Sequence, residues 1–204
     1  MIDKILCGDA RLLAQDIPDG SVDMIVTDPP YPRKYRELYS WLSHQAARVL
    51  KPGRYMWVYA GESDLDLLMR LCEDQGLVYQ WDHAYLNNGS HPRWWSKKRM
   101  VGAKHIFELT KGEPYVRKWM DTVHTASKDK QYHKWGQGVE FPIKVIEIFT
   151  EPGELVWDPF AGGGQIPAAC LHTGRHFLAS EISEEQAGIA ARRLRALQAS
   201  QVSA

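Results

Sequence analysis

Two short stretches place carboxylates where chemistry could be done. In "VDMIVTDPPYP" an apolar, β-prone run ends in Asp28, two prolines and Tyr31. In "LVWDPFAGGG" a second apolar run ends in Asp158, a proline, Phe160, Ala161 and three glycines. Adjacent prolines fix two φ angles and remove two backbone donors, so Pro29 and Pro30 form a rigid elbow between the acid and the ring. Glycines 162–164 allow a tight turn and let backbone approach a ligand closely. Glu181 stands 23 residues beyond Asp158. An acid about 20 residues after a Gly-rich turn is placed to accept hydrogen bonds from ribose hydroxyls. The turn lacks GxGxxG spacing, and no Lys-Ser/Thr pair follows it, which disfavours a dinucleotide or a nucleoside triphosphate. The expected ligand carries a nucleoside and no phosphate.

A second kind of chemistry is concentrated elsewhere. The chain has 25 Lys+Arg and 25 Asp+Glu, but residues 91–135 hold eleven of the former and four of the latter. One segment is basic and the remainder acidic, which points to a localised anion-binding face. Within it, "HPRWWSKKR" interleaves Arg93, Lys97, Lys98 and Arg99 with Trp94 and Trp95. Cations that neutralise phosphate and rings that stack on bases are the two needs of a nucleic-acid contact. The histidines (His83, His91, His105, His124, His133) lack metal-ligand spacing, so no metal site is expected.

These groups require a scaffold, and the chain reads as alternating strands and helices. Strands are expected at 3–7, 22–27, 55–61, 77–86, 105–110, 155–160 and 176–182. Helices are expected at 35–50, 63–75, 142–150, from the glycine turn to Thr173, and from Ser183 to Gln198. The last opens on a capping box of Ser183 with Gln186. Residues 111–138 show no period and read as irregular. The alternation predicts an α/β fold with a mostly parallel sheet covered by helices on both faces. With 204 residues, 44% of them hydrophobic, the chain suits one domain with a sizeable core, in which 88–138 forms a basic insertion. Three scattered cysteines, no leader pattern and no apolar run near 20 residues lead to the expectation of a cytoplasmic protein with no membrane partner.

The two acidic stretches, in this order, resemble the S-adenosylmethionine-dependent amino-methyltransferases that act on DNA. "TDPPY" matches their catalytic motif and "DPFAGGG" their cofactor loop. The order matches the circularly permuted β-group, whose fold is a Rossmann-like class I sheet. "CGDARLL", "DIPDGSVD", "RVLKPGR", "TEPGELVWDPF" and "EISEEQAGIAARRL" are also similar to family segments. The resemblance covers the chain apart from about 85–140. It implies that Asp28 and the Pro29 carbonyl accept the N–H hydrogens of an exocyclic amino group, that Pro30 keeps the elbow rigid, and that Tyr31 stacks on the flipped base. For the cofactor, S-adenosylmethionine, it implies Asp158, Phe160, Ala161, Gly162 and Gly164 around the methionine part. Glu181 would hold the ribose with Ile182 beside it, and Asp9 with Ala10 would lie near the adenine. Gln137 survives from a family segment that often reads His-Pro-x-Gln-Lys-Pro, although the Lys-Pro pair is missing here. The family often has Gly-Ser-Gly-Thr where this chain has Gly162 to Gln165.

The leading reading is adenine-N6 methylation of DNA, double- or single-stranded, because cytosine-N4 members more often carry Ser in place of Asp28. The alternatives are a cytosine-N4 enzyme, an amino-methyltransferase of RNA or of protein glutamine, and a silent cofactor-binding partner subunit, against which the intact "DPPY" stands. The target-recognition region is short, so specificity is expected to be loose or completed by a homodimer.

Overall fold

The computed structural model describes residues 2–61, 65–73, 75–86, 93–115, 118–125, 132 and 138–202. In chain order these form β1 (Lys4–Cys7), α1 (Ala10–Leu13), β2 (Val22–Thr27), α2 (Glu37–Val49), β3 (Leu50–Ala60), α3 (Leu65–Glu73), β4 (Val78–Leu86), β5 (Arg93–Trp94), β6 (Arg99–Met100), β7 (Ala103–Thr110), β8 (Val123–Thr125), α4 (Glu140–Phe149), β9 (Leu155–Asp158), α5 (Gln165–Thr173), β10 (His176–Glu181) and α6 (Glu184–Val202). Eight strands make one sheet in the order β1-β10-β9-β2-β3-β7-β4-β8, and β5 with β6 makes a separate hairpin. Every neighbouring pair in the sheet is parallel except those of β7, which is antiparallel to both β3 and β4.

Helices cover both faces, as the apolar strands require. On one face Trp57, Tyr59, Tyr85, Phe141, Val145, Phe149 and Phe177 pack between the sheet and α4, α5 and α6. On the other, Met56, Val58, Leu42, Val49, Leu68 and Trp157 pack between it and α2 and α3. β2 is buried at all six positions, including Asp23. That buried charge is matched at the amino end of the sheet by Lys51 Nζ at 2.7 Å, Arg54 at 3.3 Å and the Leu155 amide at 3.0 Å. One carboxylate thereby ties β2, β3 and β9 together, at the end of the strands opposite Asp28 and Asp158.

Several expectations shift. The strand expected at 55–61 begins at Leu50 and absorbs "KPGR" as an irregularity: Val22 pairs with Leu50, but Met24 pairs with Tyr55. The helix expected at 142–150 starts at Glu140, with Pro142 in its first turn, where its missing N–H is harmless. The stretch read as irregular contains β8, which pairs in parallel with β4. Only half of the expected capping box forms. The Gln186 amide donates to Ser183 Oγ at 3.4 Å. Gln186 Oε1 is buried with no hydrogen-bond partner among the described residues, and the Ser183 amide donates instead to Glu181. β7 and β8 both lie within 88–138, so part of that stretch belongs to the main sheet, while the β5–β6 hairpin stands apart from it.

Candidate active site

In open α/β sheets ligands bind beyond the carboxyl ends of the strands, where the strand order reverses. Here the reversal falls between β9 and β2. From β2 the chain moves on to β3, and from β9 it moves the other way to β10. Asp28 follows the last residue of β2, Asp158 is the last of β9 and Glu181 the last of β10. Asp9 lies two residues beyond β1. The acids singled out from sequence therefore share one edge.

The two elbows are joined directly. Thr27 Oγ1 donates to Asp158 Oδ1 at 2.7 Å, a buried bond between residues 131 apart in the chain. The Phe160 amide donates to the same oxygen at 3.2 Å. Asp158 is fully buried, and its Oδ2 has no partner among the described residues. Burial pushes its pKa up to about 7, against the lowering hydrogen bonds from Thr27 and Phe160. A buried carboxylate with one bare oxygen beside a glycine turn suits a cationic ligand group.

The turn is built for close approach. Gly164 caps α5 with φ +77, and a Cβ there would meet Ala190 of α6 at 3.0 Å. Glu181 holds the turn, since its Oε2 accepts from the Gly162 amide at 2.8 Å and its Oε1 from the Ser183 amide at 2.8 Å. Each oxygen keeps a second lone pair for a ligand hydroxyl. Ile182 beside it is 73% exposed, an apolar surface open to a ring. Ala161 and Ala10 are buried, and the Phe160 ring meets Trp41 edge-on at 6.1 Å. Asp9 caps α1 and pairs with Arg11 at 2.7 Å, and those hydrogen bonds hold its pKa below the ordinary value. Tyr132 covers the turn from outside. It lies under the Arg193 guanidinium at 4.3 Å, and a Cβ on Gly163 would come within 2.9 Å of its carbonyl oxygen.

At the β2 elbow, Tyr31 Oη donates to Asp28 Oδ1. Burial, followed by the Asp28 charge, raises the Tyr31 pKa well above its ordinary value, so the phenol keeps its proton. A Cβ on Gly61, just beyond β3, would lie 3.0 Å from Tyr31 Cβ and Cγ, tighter than an ordinary contact, so the ring packs closely over this glycine. Lys104 of β7 places Nζ 3.4 Å from Asp28 Oδ2. Tyr59 is fully buried with its hydroxyl unpartnered among the described residues. Thr27, Tyr59, Gly61, Lys104 and Tyr132 were not singled out from sequence. Only Thr27 carried a signal, as the polar residue ending a buried run beside the acid.

The basic hairpin presents its cations outward. Arg93, Lys97, Lys98 and Arg99 are exposed, and Trp95 is 67% exposed with Arg93 at 5.6 Å and Lys98 at 5.7 Å from its ring centre. Gln137, His133 and the Trp94 side chain lie outside the described residues. Of the histidines weighed from sequence, three have partners among the described residues. His83 Nε2 lies 2.8 Å from Glu108 and its Nδ1 3.2 Å from His124 Nε2, while His105 lies 2.7 Å from Asp82. Among the described residues no cluster suits a metal ion, and no helix is long and apolar enough to cross a membrane.

Solved structures share this architecture. The fold matches that of M1.HpyAVI in its SAM complex with a TM-score of 0.77 and 23% identity, over 94% of this chain and 98% of that one. It matches PvuII DNA methyltransferase, which is cytosine-N4-specific, with a TM-score of 0.78 and 16% identity, over 97% and 92%. The fold is therefore that of the α/β methyltransferases. The sequence is 27% identical to YubD of Escherichia coli (strain K12), across 96% of this chain and 91% of that protein. It is 24% identical to the type II methyltransferase M.HpaI of Haemophilus parainfluenzae, across 95% and 74%. The family described as DNA methylase, N6_N4_Mtase, matches residues 90–192, and the chain belongs to that family.

Proposed function

We propose that this protein methylates the exocyclic N6 amino group of adenine in DNA, with S-adenosylmethionine as donor. The observation that carries the reading is the Thr27–Asp158 bond. It sets the Asp28 elbow beside the strand that leads into the glycine turn, and the other oxygen of the same buried carboxylate has no partner among the described residues.

Asp158, Glu181 and the turn at 161–164 fit the cofactor: a buried acid for its cationic part, an acid for ribose hydroxyls, and bare backbone for close approach. When bound, the cofactor supplies an electrophilic methyl group on a sulfonium. The protein's share is acceptance and orientation. An aromatic amino group is a poor nucleophile because its lone pair is delocalised into the ring. Asp28 and the Pro29 carbonyl accept its N–H hydrogens, turn the lone pair outward and stabilise the positive charge that grows on nitrogen. Pro29 and Pro30 hold these acceptors without reorganisation. The target base must leave the duplex or arrive single-stranded. Tyr31 is its stacking platform, with the ring fixed by its own hydroxyl bond to Asp28. Arg93, Lys97, Lys98 and Arg99 take backbone phosphates, and Trp95, between two cations, stacks on a base.

Asp28 favours adenine. The likeness to a cytosine-N4-specific enzyme supports that amino group as the second reading. Incubation with methyl-labelled cofactor and unmethylated DNA or RNA, followed by mass spectrometry of the nucleosides, tests both. N6-methyladenine in DNA is expected. N4-methylcytosine would replace the first reading with the second, and label confined to RNA would refute both.

A further inference from the structure

We propose that Lys104 is a phosphate-binding residue for the target nucleotide, held on Asp28 as a latch until that nucleotide enters. The proposal rests on the reading of the site as a nucleic-acid methyltransferase.

Lys104 sits at the start of β7, opposite Tyr85. Its Nζ lies 3.4 Å from Asp28 Oδ2, 4.9 Å from the centre of the Tyr31 ring and 5.8 Å from that of Tyr59. The side chain is 20% exposed. Two of these contacts are with groups the target base itself needs, the acceptor oxygen and the stacking ring. An ammonium left there opposes the reaction twice. It competes with the amino group for Oδ2, and its charge repels the positive charge that develops on the attacking nitrogen. Donation to the ring nitrogen beside the amino group would be no remedy, since it draws the lone pair further into the ring. The cation must therefore leave Asp28 when the base arrives, and a mostly buried charge cannot be left unpaired.

The incoming nucleotide brings the anion. A lysine head on a four-carbon stem can swing to it without backbone movement. The chain supplies the route, because the basic hairpin ends at Met100 and Lys104 follows four residues later, a span of at most ~14 Å. Phosphates held by the hairpin therefore arrive within reach of this side chain. Exchange of Asp28 for phosphate would free the acceptor only when a nucleotide is in place.

The test starts by mapping the sequence that the wild-type protein methylates. Duplexes of that sequence are then made with single phosphates around the target replaced by neutral methylphosphonate. Binding is measured by fluorescence anisotropy for wild type, Lys104→Met and Lys104→Arg, with Lys104→Gln in reserve, and calorimetry with S-adenosylmethionine confirms that each variant is folded. At one linkage, wild type and Lys104→Arg should lose about ten- to a hundredfold in affinity, the worth of a charged hydrogen bond. Lys104→Met should bind more weakly from the outset and be indifferent to that replacement. Its slope of log affinity against log salt should fall by about one unit. A structural role alone would weaken every duplex equally. If no linkage is coupled to residue 104 and the slope is unchanged, the proposal is wrong. Failure of the wild type to methylate DNA at all would instead remove the reading beneath it.

Discussion

Replacing Asp158 by Asn should stabilise the protein while weakening its hold on the cofactor. The Asp158 carboxyl is fully buried, and its pKa is raised from 3.8 to about 7, chiefly by burial. A shift of about three units corresponds to ~4 kcal/mol of stability withheld from the ionised folded state. Asn keeps an oxygen for Thr27 Oγ1 and the Phe160 amide, and it places an NH2 where Oδ2 is bare. An unpaired buried amide costs about 1–3 kcal/mol, so the net gain above pH 7 should be about 1–3 kcal/mol. For a chain of this length that is a rise in Tm of roughly 2–12 °C. The pH dependence gives a sharper test. The folded acid keeps a proton that the unfolded chain releases between about pH 4 and 7, so its contribution to stability falls as pH rises through that window and is flat above it. Between pH 5 and pH 8 the wild type should lose about 3 kcal/mol that Asp158→Asn does not. Urea denaturation of both proteins at the two pH values isolates this contribution, because all other groups titrate in common. Calorimetry with S-adenosylmethionine should show affinity reduced by about tenfold or more in the variant. A variant that is destabilised by the same amount at pH 5 and pH 8 would show that the buried charge costs nothing, and the reasoning would fail.

Asp28→Ala should abolish methyl transfer in an intact fold, since the side chain stands at a strand end. Loss of such a transition-state acceptor costs ~10²–10³ in rate, and single-turnover transfer, with 2-aminopurine fluorescence to follow base extrusion, separates this from binding. Joint neutralisation of Lys97, Lys98 and Arg99 should lower the salt slope of DNA binding by close to one unit for every phosphate that no longer meets a cation, while cofactor affinity is retained; an unchanged slope would remove them from the backbone. His124, whose pKa burial and His83 push down to about 4, is neutral in the fold at pH 5 but largely protonated when unfolded. Its contribution to stability is complete above about pH 6.5 and is lost as pH falls towards 4, so His124→Phe should flatten the acid limb of a denaturation series, and an unaltered limb would contradict this.

What the sequence determined by itself was local. Apolar runs ended by Asp28 and Asp158 specify buried strands with acids at their ends, because burial on both faces demands continuous hydrophobicity. Proline and glycine restrict or free φ at their own positions, so both elbows were legible as elbows. Among the described elements, five of the six helices and seven of the ten strands followed from pattern, whereas α1, β5, β6 and β8 did not, and β3 begins five residues early. Tertiary structure alone decided who meets whom. Nothing near Thr27 announces Asp158, 131 residues away, and nothing near Lys104 announces Asp28, 76 residues back. β8 is too short to show a period, and the reversed direction of β7 leaves no trace in its alternation. Asp23 reads as an ordinary polar residue until Lys51, Arg54 and the Leu155 amide converge on it. Periodicity records which side of an element faces the core. It carries no record of which strand lies alongside, and the candidate site is assembled where β2 and β9 lie side by side.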